Sequence, residues 1–452
     1  MIAPREARPT VRFIDEYCQS YQSLFSDVRA FEAFKHLHVG MLSDIKRKTL
    51  PAIAKVVGLD NEQSLHHFLT DSPWSVGVLE QRRLELILQT LQGRSILLLI
   101  DETGDPKKGK TTDYVKRQYI GNLGKIENGI VSVTAYGLID NMTFPLMFRI
   151  YNPRERLKPG DKYQSKPQIA ADMVRALQRM GFNIELVLAD SLYGESEANF
   201  ISVLEGLELE YVVAIRSNHG VWMPESEEIS HTEWQSFERE FSTGKTEERF
   251  IREILYGHVE ERVIRYWQIT TDVDKLPDNS TWYVMTKKAG LKPEEVGDLY
   301  GKRNWVEYGL KQSKNELGWA DFRVTDYAQI EKWWEVVMSA YLLVSLHSNE
   351  LNPMTTSEAI GNLSEASTTS KESHTFASHQ WWDRATGWKN LLNNLRLMLQ
   401  PFVFFNLINP WLNVFPIQPL REGFRQLIEI MNRFPGAIPN PENAQDFQFS
   451  SA

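Results

Sequence analysis

Two short apolar runs, each closed by an aspartate, constrain this chain more than anything else in its 452 residues. Ser95-Ile96-Leu97-Leu98-Leu99-Ile100 ends at Asp101, and Ile184-Glu185-Leu186-Val187-Leu188-Ala189 ends at Asp190. Runs of this length, rich in Ile, Leu and Val, read as buried strands. Nearly ninety residues of sequence separate the two aspartates, so they can share a site only if their strands are neighbours in one sheet. A third acid, Glu307, falls in a helical stretch within the pattern Tyr300-x2-Arg303-x3-Glu307-x6-Lys314. At about 100° per residue these four residues fall on one helix face, within roughly a 60° arc.

The surroundings predict a mixed α/β chain. Apolar residues recur at helical spacing from 10 to 92, through Phe13, Tyr17, Tyr21, Leu24 and Phe25 and again through Leu79, Leu84 and Leu86 to Leu88. Short helices joined by tight turns suit a helix-turn-helix DNA reader or a plain helical cap. From 95 to 216 the type alternates. A hairpin is expected over 130–139 and 143–151 with Asp140-Asn141 as its turn, then a helix over 168–180, a strand over 184–189, a helix from about 195 and a strand over 210–215. That order gives a mixed sheet with helices on its faces. Phe250 to Tyr256, Val263 to Thr270 and Thr281 to Thr286 are rich in β-branched and aromatic residues and read as an inserted β subdomain. Helix resumes near Pro293, runs unbroken through Glu307, and is followed by a second helix over about 328–348.

The expected organisation is therefore an N-terminal helical region (1–93), a mixed α/β core in two parts (94–217 and 300–350) around the β-rich insert (218–299), a Ser/Thr-rich linker (351–379), and a helical, aromatic C-terminal region (380–452). The last is a candidate for dimerisation or DNA contact.

The single Cys18 excludes a disulfide framework and a thiolate zinc site within one chain. His36, His38, His66 and His67 lack the spacing that would put two imidazoles on one helix face, and read as structural or solvent-facing. No secretory segment is visible, and the apolar stretch 395–415 is interrupted by Pro401 and Pro410, so a cytoplasmic protein without a membrane span is expected. The net charge of −9 does not favour a nucleic-acid partner, yet residues 104–125 hold Lys107, Lys108, Lys110, Lys116, Arg117 and Lys125 against two acids. A run of that kind suits DNA phosphates or a solvated loop. Gly104-x4-Gly109-Lys110-Thr111 fits a phosphate-loop pattern after a strand. No amphipathic helix follows it, and Asp101 and Glu102 would repel a triphosphate.

Three carboxylates on rigid elements suit divalent ions that take hard oxygen ligands. Two such ions can serve phosphodiester cleavage. The spacing Tyr300-x2-Arg303-x3-Glu307-x6-Lys314 resembles the YREK signature of insertion-sequence DDE transposases. Ile100-Asp101-Glu102-Thr103-Gly104 and Leu188-Ala189-Asp190-Ser191-Leu192-Tyr193-Gly194 look like that family's segments around its first and second aspartates. Leu65-His66-His67-Phe68-Leu69 with Ser72-Pro73-Trp74 resembles the N-terminal segment of one subgroup. The likeness spans about 60–350. It implies a ribonuclease-H-like core with Asp101, Asp190 and Glu307 as ligands of a two-metal magnesium site, which manganese could replace. It implies that Tyr300, Arg303 and Lys314 hold the transposon-end backbone. The implied activity is cut-and-paste transposition by a homodimer on double-stranded DNA, both transposon ends and target, in a bacterial cytoplasm at the nucleoid. Relatives stack a flipped base on a Trp of the insert. Trp282 reads first as a core aromatic of its strand, with the counterpart of that Trp as the second reading. The alternative is a transposase-derived protein that binds DNA without cutting it.

Overall fold

The structure, a computed structural model, describes residues 5–221, 228–241, 245–256, 263–351, 376–385 and 387–434. Most of the expected Ser/Thr-rich linker, 352–375, lies outside the described residues. The chain divides into two compact units. One comprises Gly93–Ile139 and Pro145–Leu310, and the other Met1–Gln92, Asp140–Phe144 and Lys311–Ala452.

The first unit is built on one large sheet. Its strands are β1 (Ile96–Pro106), β2 (Lys116–Ile120), β3 (Lys125–Ile139), β4 (Met142–Ile150), β5 (Ile184–Ala189), β6 (Tyr211–Ile215), β7 (Ile229–His231), β8 (Gln235–Glu240), β9 (Thr246–Tyr256), β10 (Arg265–Thr270) and β11 (Thr281–Thr286). They run in the order β2-β3-β1-β5-β6-β11-β10-β9-β7, with β4 also on β3 and β8 on β9. β3 lies antiparallel to β1, whereas β5 and β6 run parallel to it. The set β4-β3-β1-β5-β6 is the ribonuclease-H-like core. β5 is buried at all but one position and β6 at all five, as expected of parallel strands covered on both faces. Asp140 and Asn141 both take positive φ, 47° and 58°, which is the backbone that a two-residue hairpin turn needs. The helix Lys166–Arg179 starts at a capping box between Ser165 and Gln168 with Pro167 in its first turn. It fills the crossover from β4 to β5.

Two sequence expectations change here, and one is extended. Part of the basic stretch is not loop: Lys116–Ile120 pairs with β3. The β1 strand continues five residues past Asp101, because β3 stays paired with it as far as Pro106. The insert is joined edge to edge with the core, since β11 pairs antiparallel with β6.

The second unit is helical. Its core includes the long helix Tyr327–Leu346, buried at almost every position from Trp333 on. Trp319 stacks on Trp334 at 4.5 Å and Tyr341 on Trp388 at 4.1 Å. Arg83 and Glu335, both fully buried, form a forked ion pair at 2.6 and 3.0 Å. His38 bonds Ser339 and the Phe34 carbonyl, in keeping with a structural role. Trp388–Val414 is one helix of 27 residues that keeps Pro401 and Pro410 inside it. It is long and apolar enough to cross a membrane by length and composition, and half of its most apolar window is buried in the protein.

Candidate active site

The register of the sheet brings the two aspartates together. The last parallel pair between β1 and β5 is Ile100 with Ala189, so Asp101 and Asp190 are the next residues on two adjacent strands. There β5 ends, at the carboxyl edge of the strands where sites form in open α/β sheets. Asp190 caps the short helix Ser191–Gly194 and accepts from the Leu192 amide at 2.9 Å. That turn has little freedom. A Cβ added to Gly194 would meet the Ala214 carbonyl oxygen at 2.0 Å.

Asp101, Glu102 and Asp190 each present a carboxylate oxygen within 4.8 Å of the other two. Glu102 was not among the sequence candidates. Alternation along a strand assigns residues 101 and 102 to opposite faces. The Asp101 side chain instead bends along the strand and accepts from the Glu102 amide at 2.8 Å. Glu102 is held by Lys166 at 2.9 Å and by the buried Tyr193 hydroxyl at 3.2 Å. Two adjacent acids, Asp101-Glu102, were the sequence signal for it.

Three carboxylates this close cannot all be ionised cheaply. Burial, then the nearby Asp190 and Glu102, push Asp101 up to about 8 against the pull of Arg303. Burial and Glu102 also raise Asp190. Burial works against the Arg303 cation, and Asp101 leads the groups that outweigh it, so Arg303 stays firmly charged.

Glu307 is not in this cluster. Its side chain is 57% exposed and accepts from Arg303 at 3.1 Å, while another nitrogen of the same guanidinium lies 3.8 Å from Asp101. Arg303 thus stands between the two acids. The signature does not lie on one unbroken helix. Pro293–Lys302 ends at a tightened turn over Arg303 and Asn304, and Trp305–Asn315 follows. In that turn Arg303 and Asn304 bond back to the carbonyls of Tyr300 and Gly301, three residues away, in place of the four-residue ladder. Arg303 and Glu307 keep their one-turn contact across the break. Tyr300 is buried beside Arg303, and half-buried Lys314 sits in the last turn of the second helix.

The basic residues do not gather at the acids. Lys107 is six residues beyond Asp101 along extended chain, roughly 20 Å away. Lys108 and Lys110 follow it. Lys116 and Arg117 lie on β2, and Lys116 pairs with Glu155 at 2.7 Å. Gly104 sits within β1, opposite Val131, so no phosphate loop forms there. Trp282 is half-buried on β11, with the Arg249 guanidinium 4.6 Å from its ring centre.

A DDE-superfamily endonuclease model matches residues 21–236, and a transposase DDE domain model matches residues 156–343. The probable transposase for insertion sequence element IS701 from Microchaete diplosiphon is 65% identical over 331 residues, 73% of this chain and 87% of that protein. This chain belongs to the DDE transposases. Among solved structures, the cryo-EM piggyBac transposase synaptic complex with hairpin DNA aligns over 97% of the transposase and 84% of that chain, at 10% identity and a TM-score of 0.40.

The transposase is thus an enzyme of the insertion-sequence kind that the sequence suggested, and the non-cutting alternative is not favoured. Its family implies divalent metal ions. The acidic trio fits such an ion: it offers hard oxygen donors, with no sulfur or imidazole among them. Its charge is also only partly balanced by Arg303 and Lys166.

Proposed function

We propose that the transposase binds the terminal inverted repeats of its own element and moves that element by cut-and-paste, through magnesium-dependent strand cleavage and strand transfer. Asp101, Asp190 and Glu307 act as the metal ligands, and the working form is a homodimer on paired ends in the bacterial cytoplasm. The supporting observation is the convergence of Asp101 and Asp190 from adjacent parallel strands, in register at Ile100 and Ala189. Bound divalent ions would activate the attacking oxygen and stabilise the leaving one.

The rest falls to the chain's own residues. Asp190 is oriented by its capping bond to Leu192 and Asp101 by its bond to the Glu102 amide. Lys166 and Tyr193 hold Glu102 beside the two aspartates, where it adds a fourth acid to the three expected. Arg303 keeps Glu307 within reach of Asp101. Tyr300, Arg303 and Lys314 hold the transposon-end backbone, the lysines of 107–117 and Arg117 follow the flanking duplex, and Trp282 offers an aromatic face to an unstacked base.

The test is excision of a DNA segment bearing the terminal repeats by purified protein, with and without magnesium. Asp101→Ala, Asp190→Ala and Glu307→Ala should each abolish cutting and leave end binding intact. Cutting near the wild-type rate by any one of them removes that residue from the site. Binding without cutting by the wild-type protein in magnesium would favour a DNA-binding protein that has set the chemistry aside.

A further inference from the structure

We infer that Arg239 and Arg249, on the paired strands β8 and β9, form a clamp for one backbone phosphate of the transposon end, beside Tyr300 and Arg303. This rests on the reading that the chain binds end DNA and adds a contact made by the insert.

Both arginines are almost fully buried, 7% and 6% exposed, yet neither is satisfied. Among the described residues, Arg239 Nε and both Nε and Nη1 of Arg249 are buried with no hydrogen-bond partner, and Arg303 Nε is in the same condition. A guanidinium has five donors and no acceptor, so unmet N–H groups in the interior call for an anion. Arg249 has one anchor, Glu247 at 2.9 Å. That contact leaves the other edge of its fork open.

The planes of both groups are fixed. Arg239 lies over the Phe241 ring at 4.7 Å and Arg249 over the Trp282 ring at 4.6 Å. Arg239 also lies against the helix that ends at Arg303. A Cβ added to Gly301 would come 3.3 Å from its Nε, so the glycine makes room for it. Burial and then the closeness of Arg249 lower the pKa of Arg239, with Arg303 adding to the effect. Arg239 thus sits within reach of two other cations that repel it. Shared phosphate oxygens would relieve that repulsion and accept the open donors in the forked geometry that arginine favours. Arg249 also covers one face of Trp282, so the clamp and that ring act together.

The experiment uses full-length protein, the terminal-repeat duplex, and a series of duplexes each carrying one neutral methylphosphonate. Arg239→Gln and Arg249→Gln should each weaken binding roughly tenfold and reduce the slope of log K against log salt by about 0.9. One methylphosphonate should cost the wild-type protein a similar factor and cost the double variant nothing. The metal-free variants should melt no lower than wild type, since one repelling charge is gone. Arg239→Lys, which keeps the charge and loses the fork, should retain the salt slope and lose affinity. An unchanged slope in both Gln variants, or no phosphate coupled to them, overturns the clamp while leaving the transposase reading in place. Wild-type protein that does not prefer the repeat duplex would overturn the reading beneath it as well.

Discussion

Divalent-ion binding should tighten as pH rises, because Asp101 must give up a proton first. Burial, with Asp190 and Glu102 adding to it, places Asp101 at about 8 against an ordinary 3.8. At pH 7 only about one molecule in ten then has this carboxylate ionised. An ion that needs it binds about tenfold more weakly than it would well above pH 8, equivalent to about 1.4 kcal/mol. Apparent affinity should climb about tenfold between pH 6 and 7 and level off near pH 9. The assay is isothermal titration of magnesium or manganese into metal-free protein, in two buffers of different ionisation enthalpy. About one proton should leave per protein at pH 7. Asp190→Asn removes a negative neighbour, so it should lower the Asp101 pKa and flatten the profile. The same linkage acts on stability. Between about pH 4 and 8 the folded state holds a proton that the unfolded chain has lost. The stabilisation from this group is therefore complete below about pH 4 and falls away as pH rises through 8. Metal-free protein should melt at lower temperature as pH rises through that window, and added magnesium should reverse the fall. A flat affinity from pH 6 to 9 with no proton release would refute the reasoning.

Two further substitutions follow from the packing. Glu335→Gln removes the carboxylate of the fully buried forked pair with Arg83, leaving Glu80 as a nearby acid, and should cost about 3 kcal/mol in urea unfolding. Replacing both partners by Met and Leu should cost much less, and near-wild-type stability in Glu335→Gln alone would show the pair to be inert. Gly194→Ala forces the turn after Asp190 away from Ala214, whose oxygen lies 2.0 Å from the added carbon. Cleavage should fall at least tenfold with end binding retained, and unchanged cleavage would mean that the turn does not position Asp190.

What was legible in the sequence follows the range of the interactions involved. The apolar runs before Asp101 and Asp190 announce themselves through local composition, and the Asp140-Asn141 turn through two residues that tolerate positive φ. Edge pairing of β11 on β6 joins residues about seventy apart, and nothing in either strand's own pattern encodes it. The break at Arg303–Asn304 was hidden for a different reason. Helical periodicity survives a single tightened turn, so the spacing of Tyr300, Arg303, Glu307 and Lys314 looks continuous when the backbone is not. Pro401 and Pro410 interrupt the apolar stretch in composition only. The helix Trp388–Val414 runs through both, with packing of Leu391 to Val403 against the unit's core outweighing the bonds lost.

Glu102 shows why alternation alone misjudges a site. Strand geometry separates neighbouring side chains, but an aspartate is short enough to fold back onto the next amide, as Asp101 does. A glutamate is long enough to be drawn round by Lys166 and Tyr193. The result is three acids within 4.8 Å, served by two cations, of which only Lys166 bonds an acid of the trio directly. Lys166 bonds Glu102, and the closest Arg303 nitrogen is 3.8 Å from Asp101, beyond hydrogen-bonding range. Burial and the two neighbouring acids hold the Asp101 pKa up, so ionising all three acids would leave a deficit of positive charge that a compact dication fills. Arg303 occupies the boundary of that deficit, bonded to Glu307 on one side and facing Asp101 on the other. Its guanidinium is the group through which a change of charge at the aspartates would reach Glu307.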